Sequence, residues 1–306
     1  MFSTFFSTTD GDIILRAGTE PNSKHDFRVH KFILSLASPV FKDMFAFPQP
    51  PEQTSNQLQL SVVDVLDPPE VLDAVLRFIY PGVEPPKVTE LSPLSALLST
   101  ADKYNIASIY PTLREILKTF LPGDPIPVYT IACRFGFSEE AREAANLSGA
   151  GNSLYYCPLE DIQHVSSSDI FRLFQFIRRR EFQGRLNIGN AFEPWRLDVV
   201  DCKHGEQAKD FYFRLRRAVE EEFALKPWIG SKGLLPALDR ISDPPPGCTP
   251  PSGSGEWYGE SSDEDDYKCP LQPMIIRRRL TGLAKALTRD NGQLLDEFFR
   301  EGVEGG

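Results

Sequence analysis

The sequence predicts an α+β fold, in which a small β-sheet flanked by a helical cluster is followed by a mostly α-helical region. Near the N-terminus, short β-branched segments flank a turn and are followed at once by apolar residues at helical spacing. After the Pro-Gly-Asp-Pro segment at 122–125, nearly every apolar pattern has the helical period. The 306 residues are enough for two domains.

The first elements are predicted to form a β-hairpin with a third strand beside it. Segment 12–16, Asp-Ile-Ile-Leu-Arg, and segment 26–30, Asp-Phe-Arg-Val-His, flank the turn-forming residues at 18–24. Two short apolar runs on either side of such a turn are typical of a hairpin. The third strand is predicted at 57–61, where Gln-Leu-Gln-Leu-Ser alternates strictly.

Helices are predicted around these strands. Apolar residues recur at helical spacing from 32 to 45, and Ser38-Pro39 in the middle predicts two short helices that meet there. Asp-Pro-Pro-Glu at 67–70 is typical of a helix start, and Pro81-Gly82 ends that helix. Further helices are predicted at 93–104 and 109–120.

The chain beyond residue 122 is predicted to be helical with one interruption. Helices are predicted at 128–135, 138–149, 169–182, 208–225 and 274–287. Segment 242–272 is rich in Pro, Gly and Ser and then in acidic residues, a composition typical of a disordered linker. The predicted organisation is a tail at 1–8, a first domain at 9–121, a helical extension at 122–241, the linker at 242–272, a C-terminal helix at 273–300 and a tail at 301–306.

Composition and charge disfavour several kinds of partner and location. A net charge of -10 and a pI near 5.0 give a diffuse acidic surface, which repels nucleic acid and anionic membranes. We expect no signal peptide and no membrane span, since no long apolar run is present. The five scattered cysteines, an odd number, favour reduced thiols in the cytoplasm or nucleus.

The chain is predicted not to be an enzyme. It has no Gly-x-Ser-x-Gly or His-Glu-x-x-His motif, and no phosphate-binding Gly-rich loop followed by Lys-Ser/Thr. Cys202-x-His204 is the nearest approach to a metal half-site, whereas structural zinc needs two such pairs. We therefore predict no catalytic residue, no cofactor and no metal. The remote alternative is an enzyme within 126–238, formed by distant polar residues in one pocket.

Charged clusters are interpreted mainly as solvated surface. Arg178–Arg180 are predicted on the polar face of an amphipathic helix. Arg277–Arg279 adjoin the acidic linker, and either pair with it or serve in nuclear import. Ser261 and Ser262 precede four acidic residues, which is typical of acidophilic-kinase sites, so both are candidate phosphorylation sites. The alternative is an inert solubilising run.

The segment 25–45, His-Asp-Phe-Arg-Val-His-Lys-Phe-Ile-Leu-Ser-Leu-Ala-Ser-Pro-Val-Phe-Lys-Asp-Met-Phe, resembles the core of the BTB/POZ domain. Asp-Ile-Ile-Leu precedes it at 12–15, as the family's first strand does. Later pieces follow in the family's order: Leu-x-Leu at 58–60, Arg-Phe-Ile-Tyr-Pro-Gly at 77–82 and Ala-Asp-Lys-Tyr at 101–104. The helical remainder looks like the extension seen in fungal BTB proteins.

The resemblance implies an interaction or scaffold protein that binds a protein partner of unknown identity. The alternatives are a substrate adaptor of a cullin-type ubiquitin ligase or a transcriptional co-regulator. Many BTB dimers exchange an N-terminal helix and strand, for which residues 1–9 are too short, so a weak homodimer or a monomer is expected. Segment 45–52, Phe-Ala-Phe-Pro-Gln-Pro-Pro-Glu, lacks a clean hydrophobic-x-Glu step of the cullin adaptors, so a cullin partner is disfavoured.

Candidate site residues follow from the same resemblance. Asp12 and Lys31 match positions that lie near one another at a charged pocket close to the BTB dimer surface; the alternative is that they cap a helix or are solvated. His30 matches the family's histidine and is expected to be structural. Independently of the resemblance, seven apolar residues are expected to fill one core between sheet and helices: Phe27, Val29, Phe32, Ile33, Leu36, Phe41 and Phe45. The candidate core and interface residues are Phe27, Val29, His30, Phe32, Leu36, Phe41, Met44 and Phe45.

Overall fold

The protein's structure, a computed structural model, describes residues 5–7, 10–18, 24–47, 60–149, 165–200, 205–225, 234–239 and 273–303. The chain divides into two units, Met1–Glu140 and Ala141–Gly306. The predicted linker at 242–272, with Ser261 and Ser262, lies outside the described residues, as do Cys202 and His204.

A three-stranded sheet in the order β2-β1-β3 forms one layer of the first unit. Its central strand is antiparallel to β2, with Ile13 opposite Val29, which confirms the predicted hairpin. It is parallel to β3, and because β1 lies between the other two strands, the connection from β2 to β3, which contains two helices, leads from one edge of the sheet to the other. The strands are β1 (Ile13–Ala17), β2 (His25–Val29) and β3 (Ser61–Val65).

The third strand begins where the predicted strand ends. Alternation predicted a strand at 57–61, whereas β3 starts at Ser61, and residues 57–59 lie outside the described part of the chain. The β3 sequence Ser-Val-Val-Asp-Val is rich in β-branched valine, which packs well on a pleated surface beside a neighbouring strand. Its last valine, Val65, is buried.

Helices surround this sheet in the first unit. They are α1 (Lys31–Ala37), α2 (Pro39–Ala46), α3 (Pro69–Ile79), α4 (Leu91–Lys103), α5 (Tyr110–Thr119), α6 (Pro125–Arg134) and α7 (Ser138–Leu147), of which α7 continues into the second unit. The predicted break at Ser38 is confirmed. Its hydroxyl accepts the N–H of Phe41 at 3.0 Å and donates to the carbonyl of Tyr104, so it caps α2, with Pro39 at the first turn.

The core of the first unit contains part of the predicted set. Phe27, Val29 and Phe41 are fully buried, and Met44 and Phe45 are half-buried. The ring of Phe41 stacks on those of Tyr104 and Phe45, which holds α2 against the end of α4.

Two predicted core residues are exposed instead. Phe32 and Leu36 are 77% and 79% exposed, so their assignment to the core was wrong, and Ile33 is half-buried. Leu34 is the buried residue of α1. Because two residues correspond to about 200° of helix, positions 32 and 36 lie on the face opposite Leu34.

Residues 5–7 pack against the outer side of β2. The ring of Phe6 is buried and lies 6.3 Å from Phe27 and 5.1 Å from Tyr80, centroid to centroid. The N–H of Arg28 donates to the carbonyl of Phe6 at 2.8 Å. The segment before the hairpin is therefore joined to the sheet by both its backbone and its side chain.

The second unit is helical in its described residues. The end of α7 is followed by α8 (Ser167–Val200), α9 (Gly205–Leu225), α10 (Leu235–Asp239) and α11 (Pro273–Val303). α8 is much longer than the predicted 169–182, because its buried positions continue at helical spacing through Ile188, Phe192 and Trp195. α8 packs against both α9 and α11. At Gly184 of α8 the approach is so close that a Cβ would lie 1.9 Å from Cζ of Phe223.

Candidate protein-interaction site

Among the residues that the structure describes, the two most exposed large apolar side chains lie together on α1. Phe32 and Leu36 are one helical turn apart, so their side chains are neighbours on the helix surface. Single exposed apolar residues are common on protein surfaces, whereas these two side chains adjoin and form one continuous apolar surface. We call this pair the α1 face. The sequence identified both residues through the family pattern, and the structure shows on which side of the helix they lie.

The N-terminus of α1 is fixed by the side chain of the residue just before β1. The Oδ1 atom of Asp12 accepts the backbone N–H of Lys31 at 2.8 Å. The residue at the N-cap position, His30, makes no side-chain cap bond to α1, so Asp12 supplies the cap. A carboxylate is also favoured at the positive end of the helix dipole. The structure thus brings Asp12 and Lys31 together through a backbone amide, which corresponds to the capping alternative.

His30 contacts Tyr80 through its backbone and its ring, and Asp10 through its ring. Its backbone N–H donates to the hydroxyl of Tyr80 at 2.7 Å, and its Nδ1 lies 3.3 Å from the same oxygen. Its Nε2 lies 3.5 Å from Oδ2 of Asp10. Burial raises the pKa of Tyr80 to about 12, and the hydrogen bond from His30 opposes part of that rise, so the hydroxyl stays protonated near neutrality.

The start of α2 is held in place by a polar cluster around Asp67. The hydroxyl of Tyr104 donates to Oδ2 of Asp67, and Nζ of Lys103 lies 2.8 Å from the same oxygen. Burial and the nearby carboxylate raise the pKa of Tyr104, so it remains a donor. Through Ser38 and the stacked ring of Phe41, this cluster fixes the position of α2.

Tyr80 and Tyr104 were not singled out as site residues from the sequence. Both lie in segments that match the family pattern, Arg-Phe-Ile-Tyr at 77–80 and Ala-Asp-Lys-Tyr at 101–104. The pattern was therefore the available signal. Their roles depend on hydrogen bonds to His30 and Asp67, residues far away in the sequence, which pattern reasoning does not reveal.

Two features are absent from the residues that the structure describes. Within the described part of the chain, no three His, Cys, Asp or Glu side chains come close enough to hold a metal ion. In that same part, no helix combines the length and the apolar character needed to cross a membrane. What α1 presents to solvent is an apolar pair on a helix fixed at both ends, which is the kind of surface a protein partner covers.

The arginine cluster at 178–180 differs from its prediction at one position. Arg180 is 2% exposed and does not lie on a solvated face. Its guanidinium donates to the carbonyls of Asn146, at 2.8 Å, and Ser148 at the end of α7. Burial lowers its pKa to about 10. The signal was present in the sequence, because Arg180 follows the apolar Leu173 by two helical turns.

Comparisons with known proteins agree with the geometry of the first unit. A family model described as the BTB/POZ domain matches residues 3–121. TD and POZ domain-containing protein 5 of Mus musculus is 34% identical over 85 residues, which are 28% of this chain and 23% of that protein. TD and POZ domain-containing protein 4 of Mus musculus is 34% identical over 93 residues, 30% of this chain and 24% of that protein. The chain therefore spans about a quarter of the length of the curated relatives it matches.

Proposed function

We propose that this chain, whose residues 3–121 are a BTB/POZ domain, is a non-enzymatic interaction protein that binds a second protein chain through the α1 face. BTB/POZ domains are protein–protein interaction modules and often dimerise. The observation that supports this use of α1 is the 77% and 79% exposure of Phe32 and Leu36. Covering one such side chain completely stabilises a complex by about 1.5–3 kcal/mol before the costs of association.

The partner to test first is another copy of the same chain. A twofold interface uses the same patch on both subunits, so one apolar pair on each chain supplies a self-complementary centre. The pair is small compared with the roughly 800 Å² that each partner of a stable complex contributes, so the dimer is expected to be weak and concentration-dependent.

Sedimentation velocity of the full chain over a range of concentrations tests the proposal. The wild-type chain is expected to dimerise as the concentration rises, whereas Phe32→Asp and Leu36→Asp place a charge in the interface and remain monomeric. Phe213→Asp is the matched control, because Phe213 is 57% exposed on α9 of the other unit. Circular dichroism checks that all variants fold. A dimer that persists unchanged in both α1 variants would refute the use of this face.

The same samples test the narrower role of a cullin adaptor. Addition of a cullin N-terminal domain gives a faster-sedimenting complex if the chain is such an adaptor. If the cullin domain sediments alone beside a dimer of this chain, the interaction role stands and the adaptor role is rejected. If the chain stays monomeric and does not bind the cullin domain, another protein partner of the α1 face is to be sought.

A further inference from the structure

The second unit has an exposed surface that the α1 proposal does not use. Phe171, Phe182 and Leu186 of α8 are 59%, 69% and 46% exposed. At about 100° per residue, Phe171 and Phe182 lie only about 20° apart around the helix, and Leu186 is one turn beyond Phe182. The opposite side of α8 is buried against α9 and α11.

Two arginines lie on the same side of α8 as these apolar residues. Arg178 and Arg185 are exposed, and within about 60° of the line through Phe171 and Phe182. Their neighbour Arg179 pairs with Glu297 at 3.0 Å, whereas neither Arg178 nor Arg185 forms an ion pair with another described residue. We call Phe171, Arg178, Phe182, Arg185 and Leu186 the α8 stripe. A ligand that fits it has aromatic or aliphatic side chains and negative charge.

The chain itself contains a segment of this chemistry. Residues 256–267 read Glu-Trp-Tyr-Gly-Glu-Ser-Ser-Asp-Glu-Asp-Asp-Tyr, with six acidic and three aromatic residues and no basic residue. The segment belongs to the connection between α10 and α11, and both of these helices are in the same unit as α8. Its covalent attachment to these helices gives it a high effective concentration with respect to the α8 stripe.

The connection is long enough for this contact. α11 runs antiparallel to α8, since Arg279 lies over the ring of Trp195 at 5.0 Å while Phe298 meets Phe176 at 5.1 Å. At about 1.5 Å per residue, Arg185 is roughly 24 Å along α8 from the level of Pro273. An extended chain covers about 3.3 Å per residue, so the acidic run at 263–266 reaches about 23 to 33 Å from Pro273.

We propose that residues 256–267 bind the α8 stripe, with their aromatic side chains against Phe171, Phe182 and Leu186 and their carboxylates paired with Arg178 and Arg185. The basic residues nearest to the acidic run in sequence, Arg277 and Arg278, are exposed as well. In the described part of α11, however, no large apolar residue is exposed beside them to receive the three aromatic side chains. The α8 stripe offers both kinds of contact.

A labelled peptide of residues 256–267 tests the proposal by fluorescence polarisation with the full chain. In the wild-type chain the tethered segment occupies the stripe, so the free peptide binds weakly. A chain with Trp257→Ala, Tyr258→Ala, Asp263→Asn, Glu264→Gln, Asp265→Asn and Asp266→Asn has a vacant stripe. This segment variant is expected to bind the peptide at least about tenfold more tightly than wild type.

Further variants of the segment variant identify the site. Adding Arg178→Glu and Arg185→Glu is expected to abolish binding, and a peptide in which the acidic residues are replaced by Lys is expected to restore it. Adding Arg277→Glu and Arg278→Glu, the matched control, should leave binding unchanged. The proposal is overturned if the control loses peptide binding, or if the variant with Arg178→Glu and Arg185→Glu still binds the peptide.

The same material distinguishes a second copy of the chain as the occupant. If the wild-type chain self-associates and Phe182→Asp in that chain reverses this, the stripe is an interface between copies, and the intramolecular contact is rejected. Absence of peptide binding to the segment variant also rejects it. None of these outcomes depends on the α1 face, because Phe32 and Leu36 are unchanged throughout.

Discussion

The guanidinium of Arg114 on α5 holds the carboxylate of Glu140 in the first turn of α7 through two hydrogen bonds of 2.9 Å. The side chain of Glu140 has no exposed surface, and Nζ of Lys118 lies 3.7 Å from it. The match to the BTB/POZ family ends at residue 121, yet this pair fastens residue 140 to a helix inside the matched region. The first unit likewise extends beyond the matched region, to Glu140.

Loss of the arginine should therefore destabilise the first unit strongly. Arg114→Met leaves a buried carboxylate without its main partner, which costs about 3–5 kcal/mol in the free energy of unfolding. Urea denaturation followed by circular dichroism measures this. Arg217→Met is the control, because Arg217 is 82% exposed and its pair with Glu221 contributes less than about 1 kcal/mol. Equal losses in the two variants would show that the Arg114 pair adds little.

The same pair predicts how stability depends on pH. Burial raises the pKa of the Glu140 carboxyl, but the hydrogen bonds from Arg114 and the nearby charges outweigh burial, so the pKa lies below its usual value. The ionised pair therefore stabilises the fold above the unfolded-state pKa, and this contribution disappears as the pH falls through the folded-state pKa. Glu140→Gln should be less stable than wild type at pH 7, and the difference should shrink in acid. A difference that is constant from pH 7 to pH 3 would contradict the assignment.

The cap on α1 can be tested at Asp12. Asp12→Ala removes the acceptor for the N–H of Lys31 and should lower the free energy of unfolding by about 1 kcal/mol. Asp12→Asn keeps an acceptor oxygen but loses the charge at the helix terminus, so a smaller loss is expected. Chemical denaturation of the three chains gives the order. Alanine and asparagine variants of equal stability would mean that the hydrogen bond does not contribute.

Two glycines of α8 should respond in opposite ways to the same substitution. Gly184→Ala places a Cβ 1.9 Å from Cζ of Phe223, far closer than van der Waals contact, so overpacking should cost about 1–3 kcal/mol. Gly189→Ala meets nothing within 4 Å and should stabilise the helix by about 0.5–1 kcal/mol. Thermal denaturation compares the two. Phe223→Leu combined with Gly184→Ala should recover part of the loss, whereas parallel behaviour of the two alanine variants would refute the close helix approach.

Local patterns predicted the elements whose signals lie within a few residues. The hairpin follows from two apolar runs around a turn, and the α1–α2 break follows from Ser38-Pro39. Periodicity identifies a helix but not the direction in which its neighbours lie. Phe32 and Leu36 have helical spacing like core residues, but α1 packs against α2 and α3 and buries Leu34, which leaves these two residues facing solvent.

Contacts between distant residues were beyond such patterns. The family resemblance placed Asp12 near Lys31, but the bond joins a side chain to a backbone amide, and this depends on how β1 approaches the start of α1. The Arg114–Glu140 pair has no local signal, since it joins two helices with a third between them. Arg180 was assigned to solvent by its charge, although the end of α7 supplies the carbonyls that allow its burial.

The backbone contact between Phe6 and Arg28 has a consequence for self-assembly. In the sheet formed by the described residues, β2 is an edge strand, and the unpaired amides of an edge are where another chain can add a strand and begin aggregation. The Phe6 carbonyl already occupies the outward amide of Arg28, and the Phe6 ring is buried against Phe27 and Tyr80. An incoming strand must first displace the carbonyl of Phe6 from this amide and its ring from the core. The segment at 5–7 therefore protects the protein against growth of its sheet from that side.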